Sequence, residues 1–141
     1  MKKLNPVFWL RVGALILASA IMLGAFGAHA LKKYADATTL HSYSTGVSYQ
    51  IYHGLALFIV LFFRSYIEKK YIALCLKFFA FGILLFSGSI YALTFIKIIN
   101  NSILPQHFIV TFIAVLTPLG GLLFIAGWLF LFISTFLKPK S

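Results

Sequence analysis

Acid is what this chain lacks most. Asp36 and Glu68 are its only carboxylates, against 12 lysine and arginine residues, and neither falls inside an apolar run. That removes the intramembrane carboxylate on which proton-coupled transport commonly relies, and with it the paired acids of general acid–base catalysis. Cysteine is nearly absent too. Cys75 stands alone, which excludes an intramolecular disulfide and the paired thiols of a disulfide-type membrane oxidoreductase; it reads as a small buried packing residue. Charged residues make up 10% of the chain and apolar ones 62%, a balance that leaves no polar shell to present to water.

What the chain has instead is four long apolar runs, roughly 9–30, 47–65, 71–96 and 108–137. A membrane-crossing helix needs about 20 mainly apolar residues, so four spans are expected. The fold class is all-α: an integral membrane four-helix bundle in up-down-up-down order, one transmembrane domain over 1–141 with no room for a soluble catalytic head. Lys2 and Lys3, an apolar stretch and Ala28-His29-Ala30 imitate a secretory signal. The stretch is long for a signal core of about 7 to 15 residues, so an uncleaved first span is expected.

The basic residues flank the spans rather than forming a stripe with interleaved aromatic readers, which argues against nucleic acid. Lys2, Lys3 and Arg11 precede or open the first run, Arg64, Lys69 and Lys70 lie between the second and third, and Lys138 and Lys140 follow the fourth. Lys32 and Lys33, offset by Asp36, and Lys97 are all that the other two links carry. This asymmetry places both termini and the second link in the cytoplasm. Lys77, within the third run, reads as a snorkelling side chain.

Small residues suggest how the helices meet. Ala20, Gly24 and Ala28 recur every four positions with Gly27 beside them, and Gly88, Gly120 and Gly121 occupy the third and fourth runs. In lipid such positions let backbones approach. Pro118 should kink the fourth helix, freeing the carbonyl of Ala114 for a donor such as Thr117. Between the first two spans, Tyr34, Leu40, Tyr43 and Val47 recur every three to six residues, so a short interfacial helix is expected there, capped by Asp36 and bending at Gly46 into the second span. The link 64–70 is a tight turn, and Asn100, Asn101 and Pro105 mark an exposed one.

Depth along the runs gathers polar groups in the outer half. His29, Gln50, His53, Ser87, Ser89, Tyr91 and Thr117 all fall there, and together they define a candidate polar pocket to which every span contributes. His29 and His53 are the sharpest pair. Each is expected to hydrogen-bond a carbonyl or hydroxyl and fix helix register. Bis-histidine haem ligation is disfavoured by the stagger in their depths, and a structural zinc site by the want of further ligands. Ser87, followed by Gly88, reads as a packing site rather than a nucleophile.

These blocks also carry a resemblance. Gly24-Ala25-Phe26-Gly27-Ala28-His29-Ala30-Leu31, Thr45-Gly46-Val47 with Tyr49-Gln50 and Tyr52-His53, Phe86-Ser87-Gly88-Ser89 with Tyr91, and Thr117-Pro118-Leu119-Gly120-Gly121 with Gly127-Trp128 appear in order. The chain resembles the uncharacterised DUF 423 family of small bacterial inner-membrane proteins, the YgdD-like proteins, related to eukaryotic transmembrane protein 256. The resemblance implies a multi-pass protein of the bacterial cytoplasmic (inner) membrane, and no activity. Ala30 departs from it, standing where glycine is expected after the histidine.

Two functions remain on these grounds. The first is a non-catalytic bundle that binds membrane lipids, a larger membrane complex or a second copy of itself, with no cofactor, metal or catalytic residue. The alternative is a conduit or carrier for a small neutral or weakly basic solute through the outer polar pocket. Phe58, Ile59, Leu61, Phe124, Leu129 and Phe130 are expected to plug the inner half.

Overall fold

The computed structural model describes residues 4–100 and 108–137. Lys2, Lys3, Asn101, Pro105, Lys138 and Lys140, which carried part of the orientation and turn readings, lie outside the described residues. Four helices follow one another: α1 (Pro6–His29), α2 (Ala37–Phe62), α3 (Lys69–Ile99) and α4 (Phe108–Ser134), with a 3₁₀ turn at Leu31–Lys33. All four are long and apolar enough to cross a membrane.

Local chemistry sets where they start. Asn5 accepts a hydrogen bond from the Phe8 amide at 3.1 Å, and Pro6 supplies the first helical position. α1 therefore begins three residues ahead of the apolar run. Asp36 caps α2 in the same manner, its Oδ1 taking the Thr39 amide at 2.7 Å. The cap was legible in the sequence, but the helix it starts is no separate interfacial element. α2 runs unbroken from Ala37 through Gly46 to Phe62. The reason lies in packing: Thr39, Tyr43, Gly46, Val47 and Gln50 form one continuous buried face. Gly46 serves close approach instead of a bend, since a Cβ there would stand 3.1 Å from the Tyr91 ring and 3.2 Å from Ile90. α3 matches this extension by continuing to Ile99.

Contacts between neighbours run in opposite registers. Gly13 meets Phe58, Gly54 meets Leu17, and Gly27 meets Tyr43 along α1 and α2. Thr39 bonds Lys97 and Gly46 bonds Ser87 along α2 and α3. Cys75 bonds Gly127, Gly82 abuts Phe124, and Ser89 bonds Thr117 along α3 and α4. Each helix packs mainly on its neighbour in the chain. The main apolar core lies toward the Glu68 end and joins Ala56, Leu57, Val60, Leu61, Ile72, Leu76, Phe79, Ile83 and Phe124 around Cys75. Leu61 and Phe124 fill it as expected, whereas Ile59 and Leu129 face outward.

The small-residue stripe of α1 is rotated from its expected position. Gly13, Ala20 and Gly27, seven residues apart, are the buried positions, while Ala28 is exposed. A seven-residue step drifts only about 20° around a helix and so stays beneath one partner; a four-residue step drifts about twice as far the other way. Gly24 lies at the edge, where a Cβ would reach Val47 at 3.4 Å. On α4, Gly120 is the close-approach residue, since a Cβ there would run into the backbone of Phe86, while Gly121 would meet only the Phe86 ring at 3.9 Å. Gly88 faces open space. α4 continues as helix through Pro118, and Thr117 Oγ1 lies 2.7 Å from Ser89 Oγ, occupied by a neighbouring helix.

Candidate functional site

Buried polar side chains lie chiefly on α2 and α3, because those helices are covered on two sides. Gln50 is the most engaged of them. Its Nε2 donates to the Ile16 carbonyl at 3.0 Å and to Ser19 Oγ at 2.9 Å, and its Oε1 accepts from the Tyr91 hydroxyl at 2.8 Å. One side chain thus ties α1, α2 and α3. Tyr43 reinforces the knot: its hydroxyl donates to the Leu23 carbonyl at 3.0 Å and its ring lies 5.0 Å from that of Tyr91. Hydrogen bonds between membrane helices contribute about 0.6 kcal/mol each and at most about 1.7. Three on one side chain come to about 2 kcal/mol at that average.

The remaining groups of the expected pocket are held elsewhere. Ser87 donates to the Gly46 carbonyl at 2.7 Å and is spent on the α2–α3 contact. Ser89 bonds the Phe86 carbonyl at 2.9 Å and Thr117 across the α3–α4 contact. His53 Nδ1 lies 2.9 Å from the Tyr49 carbonyl, and its Nε2 accepts from Trp128 Nε1 at 3.3 Å. That pairing fixes the tautomer with hydrogen on Nδ1, and the ring stacks on Phe124 at 3.5 Å. His29 is exposed at the end of α1. Of the seven residues, Gln50 meets Tyr91 and Ser89 meets Thr117, while His29, Ser87 and His53 bond to none of the others. A single convergent pocket is not what the side chains build. Polar groups at similar depth point to different neighbours because successive positions on a helix turn by about 100°.

Several functional side chains carried weak signals. Ser19 is one polar residue in an apolar helix, and Trp128 sat in the resemblance without a role. The offset of charge around Asp36 pointed to Lys32 and Lys33, yet Asp36 Oδ2 pairs with Lys97 at 2.9 Å, and Lys97 also donates to Thr39 Oγ1 at 2.6 Å. The Lys97 hydrogen bond, with the Thr39 amide behind it, holds the Asp36 carboxyl down to about 2. Lys77 is exposed, and Cys75 is buried with its Sγ 3.4 Å from the Gly127 carbonyl. Among the described residues no group of three or more His, Cys, Asp and Glu could hold a metal ion.

Comparison with known proteins is decisive on kinship. The family described as "Protein of unknown function (DUF423)" matches residues 23–121. This chain belongs to the DUF423 family. A UPF0382 membrane protein of Staphylococcus saprophyticus is 39% identical over 129 residues, covering 89% of this chain and 93% of its own length. The Haemophilus influenzae UPF0382 membrane protein is 37% identical over 86% of each chain, and YwdK of Bacillus subtilis, also a UPF0382 membrane protein, is 34% identical over 87% of this chain and 91% of its own. No solved structure matches. The DUF423 match takes in Tyr43, Gln50, His53, Ser87 and Tyr91 and leaves Ser19 and Trp128 outside it.

Proposed function

We propose that this DUF423 protein is a non-catalytic bundle of the bacterial cytoplasmic membrane, crossing it up-down-up-down with both termini in the cytoplasm, and that it works by binding membrane lipid, alone or within a larger membrane complex. One observation carries the reading. Among the described residues, every buried side-chain nitrogen and oxygen has a hydrogen-bond partner. Some of those partners are carbonyls of the same helix, as for Ser134 on Leu131, and others are carbonyls or side chains of a neighbouring helix, as for Ser87, Gln50 and Tyr91, so the polar groups are committed to the fold and none is held ready for a substrate.

Charge supports the orientation. In the sequence, Lys2, Lys3, Arg11, Arg64, Lys69, Lys70, Lys138 and Lys140 fall at the span ends assigned to the cytoplasm, against Lys32, Lys33 and Lys97 at the others. A conduit needs a polar path past Leu57, Leu61, Phe79 and Phe124, all buried in the apolar core, so the binding reading is the stronger. The test is purification in a lipid environment with mass spectrometry of whatever travels with the protein, alongside impermeant labelling of single cysteines in a Cys75→Ala background. Ser42→Cys should label from outside and Ser65→Cys should not. A reproducible non-lipid solute at one per chain would favour the carrier, and the reverse labelling pattern would overturn the orientation.

A further inference from the structure

Two cavities lie end to end along the same helix faces, between α2 and α4 with α3 as their floor. The first, about 400 Å³, is lined by Thr38, His41, Ser42 and Thr45 of α2, Thr94 and Lys97 of α3, and Thr117 of α4. The second, about 530 Å³, continues with Tyr49, His53, Phe86, Leu122, Ile125 and Trp128. The first lining mixes hydroxyls and a cation with Ile90 and Leu93, the second is aromatic and aliphatic, and the His53–Trp128 hydrogen bond crosses from α2 to α4 at the far end. We propose that this groove holds one phospholipid, its phosphate at the Lys97 end and one acyl chain along the aromatic floor. The proposal rests on the lipid-binding reading above and specifies where and what it binds.

Chemistry and length both select this occupant. Lys97 Nζ spends two hydrogens on Asp36 and Thr39, leaving a third N–H for an acceptor, and Thr38 and His41 line the same cavity. Phosphate oxygens are acceptors of that kind. Along α2 the step from Thr38 to His53, from the Lys97 end to the Trp128 end, is about 22 Å at 1.5 Å per residue, and half of a bilayer of about 40–45 Å with its headgroups is about 20–22 Å. A groove open to a bilayer is filled by acyl chain, and this one has the length of a single leaflet.

Trp128 makes the groove readable, because Trp9 is the only other tryptophan. The full chain with Trp9→Phe is placed in alkyl maltoside micelles, which carry no phosphate, and Trp128 fluorescence is followed as phosphatidylglycerol or diacylglycerol, each with dibrominated chains, is added. The expected result is quenching by the brominated phospholipid at mole fractions several-fold below those of random contact, with diacylglycerol following the random curve. Gly121→Leu, whose Cβ meets only ordinary contacts, should return the phospholipid curve to random. Random quenching by the phospholipid in the otherwise unaltered protein, or equal quenching by the two lipids, would overturn the groove, and this comparison decides the matter even if Gly121→Leu fails to fold. Lysophospholipid in the extracted lipid would instead overturn the non-catalytic reading, whichever curve is obtained.

Discussion

The ring of Tyr43 occupies the space that a side chain at Gly27 would need: a Cβ there would stand 2.7 Å from Tyr43 Cε1, while the same tyrosine's hydroxyl donates to the Leu23 carbonyl at 3.0 Å. One residue thus seals the α1–α2 contact by shape and by hydrogen bond, and in lipid the shape term matters because apolar exclusion no longer drives helices together.

Glycine replacements should therefore sort by neighbour and not by sequence spacing. Gly27→Ala and Gly120→Ala are expected to cost about 1–3 kcal/mol, since one displaces a ring held at both ends and the other strikes the Phe86 backbone. Gly88→Ala and Gly121→Ala should be neutral or slightly stabilising, as alanine is the better helix former. Thermal unfolding in detergent measures all four. Equal losses across the set would mean the helices meet through other faces.

The Asp36–Lys97 pair should persist below the ordinary carboxyl range. Because the folded carboxyl is held to about 2 against an ordinary 3.8, its contribution is complete above the ordinary value and is lost as pH falls through the folded one. Carboxyl-carbon NMR of Asp36 should show a midpoint near the lower figure, and Lys97→Met should raise it. An ordinary midpoint in the unaltered protein would mean that the link between the start of α2 and the end of α3 is open in solution.

His53 should behave as a hydrogen-bonded spacer. Removing it leaves the Trp128 N–H unpaired and a hole against Phe124, so His53→Ala is expected to cost about 2–4 kcal/mol. His53→Gln keeps a polar group of similar reach and should retain a substantial part of that stability in the same unfolding measurement. Stability intact in both variants, with lipid binding or cell phenotype lost in both, would point to a chemically active imidazole.

Hydropathy and length made the four helices legible, and the polar residues of their outer half were legible as a set. What the sequence could not convey was azimuth. Gln50 and His53 are three residues apart, yet one faces α1 and α3 while the other faces α4, and a depth argument cannot separate them. The extra turns of α2 were misassigned for a related reason: Thr38, Thr39, His41, Ser42 and Ser44 dilute the apolar pattern, and only the unbroken face through Tyr43 and Val47 shows that the helix continues. Ser19 was silent because a lone serine in an apolar run has no periodicity to betray it.

The central claim is that buried polar side chains hold these helices together instead of serving a reaction, and the Gln50–Tyr91 bond at 2.8 Å tests it most directly. A double-mutant cycle of Gln50→Leu and Tyr91→Phe, measured by unfolding in detergent, should give a coupling of about 0.6–1.7 kcal/mol, with Gln50→Leu the costlier single change because it also removes the Nε2 hydrogen bonds to Ser19 and the Ile16 carbonyl. Strictly additive effects, or a Gln50→Leu variant as stable as the unaltered chain, would contradict the account.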